Sequence, residues 1–217
     1  GTAYSNVVNF RTLASTPVVK TVGTSEVTSS GAILSGSVVT DNGAEISERG
    51  FVWLQGDGTP TTESRKLTAS GTVGDFEASL TGLEPNKKYS FRAYAINSVG
   101  ISYGDIMTFS TVAGLPVLSA VDVSKITATS ATFAANVTDH GGETVSEVGF
   151  YYSTEEAVDV STAVKVSKTY TGTSFNSIVE NLEICTSYYV KAYAVNSAGT
   201  SYSKVVSFKT LASTPVV

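Results

Sequence analysis

Residues able to do chemistry are few in this chain. Its single histidine, His140, stands among 217 residues, with no Gly-x-Ser-x-Gly elbow and no glycine loop of the kind that cradles phosphate. The adjacent pair Glu155-Glu156 offers two carboxyls from one place, whereas glycosidic cleavage needs carboxyls brought from separate elements to about 5–10 Å. Asp41, Asn42 and Glu45 in one segment, and Asp139 and Glu143 in another, present oxygens at the short spacing a hard cation favours. A calcium ion takes about six to eight such ligands, and the same residues make ordinary turns. His140 then reads as a solvent-facing turn residue. Cys185 is the only cysteine, so no intrachain disulfide forms, and it reads as a small apolar filler. The expectation is a chain that is not an enzyme and carries no cofactor and no metal.

What remains is a surface able to bind. Sugar rings stack on flat apolar side chains while neighbouring polar groups take their hydroxyls. In Tyr89-Ser90-Phe91-Arg92-Ala93-Tyr94-Ala95-Ile96, strand alternation puts Tyr89, Phe91, Ala93 and Ala95 inward and leaves Arg92 and Tyr94 outward. The counterpart Tyr188-Tyr189-Val190-Lys191-Ala192-Tyr193-Ala194-Val195 places Lys191 and Tyr193 the same way, and Tyr151 adds to that face. Tyr94, Arg92, Tyr193, Lys191 and Tyr151 are therefore the candidate binding residues for a glycan or protein. The competing reading makes them cross-strand partners that cover the sheet.

The elements that position these residues are written more than once. Tyr4, Tyr103 and Tyr202 lie 99 residues apart, as do Pro17, Pro116 and Pro215. A period of that length means tandem domains, each large enough to bury its own core. Short alternating segments are expected as strands near 18–22, 31–40, 48–54, 65–69, 75–81, from 89 onward, and 102–111, with Phe51 and Trp53 on one face and Met107 and Phe109 in the core. Asp41-Asn42-Gly43 supplies one turn, and Asn97 to Gly100 turns the chain before the last strand. The second repeat follows with strands at 131–138 and 147–153, the turn Asp139-His140-Gly141-Gly142, and a short helical turn expected at 154–158. Regular short strands between turn signals give an all-β fold of two tandem immunoglobulin-like, seven-stranded β-sandwiches.

Leu83-Glu84-Pro85-Asn86-Lys87-Lys88-Tyr89, followed by Ala95-Ile96-Asn97-Ser98-Val99-Gly100, resembles the end of a fibronectin type III domain. With Glu48-Arg49-Gly50-Phe51-Val52-Trp53 and Tyr103-Gly104, the repeat looks like the tandem type III-like modules of Bacteroidetes cell-surface proteins. The resemblance spans nearly the whole chain. It implies a tyrosine corner at Tyr89 and its counterpart Tyr188, with Leu83, Leu182 and Trp53 as further structural residues. Two departures stand out: the second strand lacks the family's tryptophan, and Ile184 replaces Pro85 in repeat two. There is no Arg-Gly-Asp tripeptide.

Four segments result: 1–16, the last strand of a preceding truncated repeat plus linker; 17–112, repeat one; 113–211, repeat two; and 212–217, a linker or the start of a following repeat. Tyr4, Val8 and Phe10 share one parity of residues 1–12, which are expected to add to an exposed strand, either of their own chain or, by exchange, of a neighbouring molecule. A net charge of −5 with 14 Lys and Arg speaks against nucleic acid as a partner, and the absence of a long apolar run speaks against direct membrane insertion. The expected role is a non-catalytic spacer or adhesion segment, extracellular and attached to a cell surface, whose partners are neighbouring domains of its parent chain. Glycan or protein recognition is the alternative, and an accessory domain of a surface polysaccharide-degrading enzyme a second alternative.

Overall fold

The computed structural model describes residues 1–172 and 174–213. Residues 214–217, most of the expected C-terminal segment, lie outside it. Two compact units make up the chain: Gly1–Leu83 with Lys87–Thr111, and Glu84–Asn86 with Val112 onward.

The first unit holds β1 (Val18–Ser25), β2 (Gly31–Thr40), β3 (Glu48–Gln55), β4 (Arg65–Ala69), β5 (Gly74–Thr81), β6 (Lys88–Ile96), β7 (Ile101–Tyr103) and β8 (Met107–Ser110). All pairs are antiparallel; β1-β2-β5 form one sheet, and β4-β3-β6-β7 the other, with β8 also on β6. Because β7 and β8 pair with the same strand, they are two pieces of one last strand, and the sandwich has seven. The fourth strand pairs with the third rather than the fifth, which sets three strands against four. Alternation explains the core: Leu34 and Val38 from β2 and Phe76 and Leu80 from β5 face Phe51, Trp53, Tyr89, Phe91 and Phe109. Burying each such side chain contributes about 1.5–3 kcal/mol.

The second unit repeats this plan with β9 (Val117–Leu118), β10 (Asp122–Ser124), β11 (Ala131–Asp139), β12 (Glu147–Ser153), β13 (Val164–Thr169), β14 (Ser174–Val179), β15 (Ser187–Asn196), β16 (Gly199–Tyr202) and β17 (Val206–Lys209). Here the first strand is broken as well, since β9 and β10 both pair with β11. Phe133, Phe150, Phe175, Tyr188 and Phe208 fill its core.

The broken strands share one backbone problem, solved in two ways. Where the last strand of unit one breaks, Gly104 N–H donates to Ala93 O at 2.9 Å, and the facing Ala93 N–H finds the Thr21 hydroxyl of β1 at 3.0 Å. A side chain on Gly104 would put its Cβ 2.6 Å from Thr21 Oγ1 and inside contact with the Thr21 amide nitrogen. In unit two the corresponding Ala192 N–H binds Ser203 Oγ at 2.9 Å. Ser203 occupies Gly104's place, Ala120 occupies Thr21's, and the first strand is interrupted there between β9 and β10. Either hydroxyl spares the site an unsatisfied amide, which would cost about 1–3 kcal/mol.

Four expectations change. The last strand of repeat one is split rather than continuous over 102–111, and Met107 is 36% exposed although it shares Phe109's parity in β8, because it stands at the first position of that short edge strand. Residues 154–158 form a turn closed by Val158 N–H to Glu155 O, and Val158's φ of 41° ends any helix. Cys185 is exposed rather than core filler: it sits at φ 51°, the turn position held by Asn86 at φ 52° in repeat one. Among the described residues, 1–12 pair with no strand of their own chain, and Tyr4, Val7, Val8 and Phe10 are each more than four-fifths exposed.

Candidate functional site

Strand pairing settles what the outward tyrosines do. Gly50, Tyr94 and Tyr103 lie in one cross-strand row of unit one, and Gly149, Tyr193 and Tyr202 in the matching row of unit two. The glycine leaves room for the ring: a Cβ on Gly149 would stand 2.8 Å from Tyr193 Cε1. Tyr94 and Tyr193 do face away from the core, yet they are 0% and 1% exposed. The expectation that they form an open sugar platform is thereby corrected.

Each buried hydroxyl has a designated acceptor. Tyr94 donates to Glu48 Oε1 at 2.5 Å and Tyr193 to Glu147 Oε1 at 2.5 Å. Lys66 and Lys165 pair with the same carboxylate oxygens at 2.9 and 2.8 Å, their ammonium groups over the tyrosine rings at 5.9 and 5.0 Å. Hydrogen bonds from Tyr94 and then Lys66 hold Glu48 below the usual carboxylate range; Glu147 is lowered by Lys165 first and Tyr193 second. Burial, reinforced by the carboxylate, raises both phenols, Tyr193 to about 12. Each phenol stays protonated at neutral pH, and the tyrosine, glutamate and lysine tie three strands together. Sequence reasoning passed over Glu48, Lys66, Glu147 and Lys165, although charged residues kept in strands at a spacing of 99 were the available signal.

The other candidates divide between the units. Arg92 Nε donates to Pro60 O at 2.6 Å, and its guanidinium lies 3.8 Å from the centre of the Tyr103 ring. Tyr103's hydroxyl is held by Thr62 N–H at 3.1 Å. The segment after β3 therefore folds over the outer face of unit one, where Val52 is wholly buried. In unit two Lys191 lies over Tyr202 at 4.8 Å, and Tyr151 contacts Tyr193 and Tyr202 with ring centres 5.0 and 6.3 Å apart. Tyr151 is half-buried and Tyr202 is 45% exposed. Tyr202, Tyr151 and Lys191 are thus what this face leaves open.

The structural residues are placed as follows. Tyr188's hydroxyl accepts Glu183 N–H at 2.9 Å, closing a corner five residues upstream, and its ring stacks on Phe208. Tyr89 is buried between Trp53 and Phe109. Leu83 and Leu182 are core residues. One residue that sequence reasoning assigned only to a turn does more: buried Asn97 accepts from Val99 and Gly100 N–H and donates to Ser15 O and Asp41 O. Asn196 repeats this with Ala198, Gly199, Gly114 and His140. Each asparagine clamps the incoming chain onto its own sandwich.

The polar loops follow turn chemistry. Asp41 Oδ1 accepts Gly43 N–H and Asp139 Oδ1 accepts Gly141 N–H. His140 is exposed, its Nε2 3.2 Å from the Tyr170 hydroxyl. Among the described residues no three His, Cys, Asp or Glu side chains gather as metal ligands.

No family model and no curated protein matches the chain. Among solved structures, it is similar to the FN1–FN3 domains of chicken CNTN1, with 20% identity over 93% of this chain and 70% of that one and a TM-score of 0.37. The sensor domain of the anti-sigma factor RsgI4 of Pseudobacteroides cellulosolvens shows 23% identity over 46% of this chain and 97% of that one, also with a TM-score of 0.37. The fold stands on its own strand pairings: two fibronectin type III-like β-sandwiches in tandem.

Proposed function

We propose that the chain is a non-catalytic spacer or adhesion segment of an extracellular, cell-surface protein, of the kind its repeats resemble in Bacteroidetes. The observation that carries this reading is the double asparagine clamp. Asn97 holds the entering chain at Ser15 O in one sandwich, and Asn196 holds it at Gly114 O in the other. The same clamp at the entrance of each repeat suits modules strung in series along one chain.

A second reading has its own support: the exposed ring of Tyr202 beside Tyr151 and Lys191 in unit two fits recognition of a glycan or protein surface. One experiment separates the two. The whole chain and its Tyr151→Ser/Tyr202→Ser variant are screened against a glycan array and extracellular-matrix proteins. The spacer reading expects no specific binding; a hit that the variant loses would replace it with the recognition reading.

A further inference from the structure

The two sandwiches finish the same outer row of side chains in opposite ways. The cross-strand row is Lys66, Val52 and Arg92 in unit one, and Lys165, Tyr151 and Lys191 in unit two. Unit one is sealed: Arg92 is held by Pro60 O and lies on the Tyr103 ring, the Tyr103 hydroxyl is held by Thr62, and Val52 is wholly buried. Unit two is not. Among the described residues no hydrogen bond or ion pair engages the Lys191 ammonium or the hydroxyls of Tyr151 and Tyr202. Lys165 occupies Glu147, and the Asp159 carboxylate, within electrostatic reach of Lys191, accepts the amide and the hydroxyl of Ser161 at 2.9 and 2.8 Å, so neither acid pairs with Lys191. The face offers an exposed ring, an ammonium 4.8 Å from its centre, and a second ring 6.3 Å away.

We propose that this face of unit two binds an anionic polysaccharide through a hexuronate residue, whose ring lies on Tyr202 and whose carboxylate pairs with Lys191. The proposal rests on the recognition reading above and names its ligand. An ammonium only donates hydrogen bonds, and both nearby carboxylates are occupied, so the face selects a ligand that brings acceptors, a carboxylate first of all. A flat sugar ring carrying that carboxylate matches a platform made of ring and ammonium side by side. The net charge of −5 over the whole chain opposes general adsorption of anions, which leaves binding to this local arrangement.

The test is calorimetric titration of the whole chain with oligomers of galacturonate and of mannuronate, with the same oligomers after reduction of their carboxyl groups, and with poly-glutamate. An acidic oligomer is expected to bind about fivefold more tightly than its reduced twin, the upper end of what an exposed ion pair contributes. Lys191→Gln is expected to abolish that preference. Tyr202→Ser is expected to remove binding while amide exchange in β15 stays protected, and Tyr103→Phe, on the sealed face of unit one, to leave the affinity as it was. Equal binding of acidic and reduced oligomers would overturn the hexuronate assignment and leave sugar recognition standing. Binding of poly-glutamate alone would overturn it in favour of a protein ligand, and binding of none of these probes would remove the recognition reading along with it. A preference that survives Lys191→Gln, or an affinity that falls in Tyr103→Phe, would place the site elsewhere and overturn the proposal as well.

Discussion

Arg49 offers the sharpest test of how this fold is held. The residue is 7% exposed and its guanidinium reaches three carbonyls: Nε and Nη2 to Ser70 O at 2.9 and 2.6 Å, and Nη1 to Thr72 O at 2.8 Å and Gly74 O at 3.1 Å. It also lies 4.7 Å from the centre of the Phe76 ring. Hydrogen bonds from a charged donor contribute about 1.5–3 kcal/mol each before burial is counted. Burial opposes them, lowering the arginine's pKa, and the freed carbonyls of an exposed loop regain water. Arg49→Val is therefore expected to cost unit one about 3 kcal/mol net. For a domain of this size that lowers the midpoint by roughly 12–24 °C. Repeat two shows that valine fits the position: Val148 is wholly buried there, and Tyr170, in the place of Gly71, packs on that core instead. The assay is intrinsic, because Trp53 is the chain's only tryptophan and reports unit one. Thermal unfolding followed by tryptophan fluorescence should show the shift, with Arg49→Lys intermediate because one ammonium cannot span three carbonyls. A shift below about 4 °C would mean that water serves those carbonyls as well as the guanidinium does, and the reasoning would fail.

Three further outcomes are expected. Tyr94→Phe should destabilise unit one by about 1–2 kcal/mol, since its hydroxyl is buried on Glu48 while Lys66 keeps the carboxylate paired; no change in urea midpoint would make that bond inconsequential. Asn97→Ala should cost about 2–4 kcal/mol, because two amides and two carbonyls lose their partner at once, and a neutral result by the same assay would remove the clamp from the argument. With pH, the lowered pKa of Glu48 and Glu147 means a contribution fully present above the ordinary carboxylate value and lost as pH falls through the lower folded one. The raised phenols add one present below the ordinary tyrosine value and lost as pH rises through about 12 for Tyr193. Melting curves should be level between, and Glu48→Gln should flatten the acid limb of the Trp53 signal; an unchanged acid limb would contradict the assignment.

Much of this protein is legible in its sequence. The 99-residue period, the parity of Phe51, Trp53, Tyr89 and Phe91, and the turn residues at Asp41-Asn42-Gly43 specify strands and their inward faces, because side-chain direction along a strand depends only on local alternation. Parity states which way Tyr94 and Tyr193 point, and both do point away from the core. It cannot state what covers them. That depends on Glu48 and Lys66, 46 and 28 residues before Tyr94 in the chain, being delivered beside it by β3 and β4. The same holds for Arg92, occupied by the loop carrying Pro60, and for Asn97, which reads as a turn until Ser15 is brought against it. Thr21 and Ser203 carry the point furthest: one amide is satisfied from the first strand in one repeat and from the last in the other. Local pattern fixes direction, while burial and hydrogen-bond partnership depend on residues far apart in sequence, and those only the packed sandwich brings together.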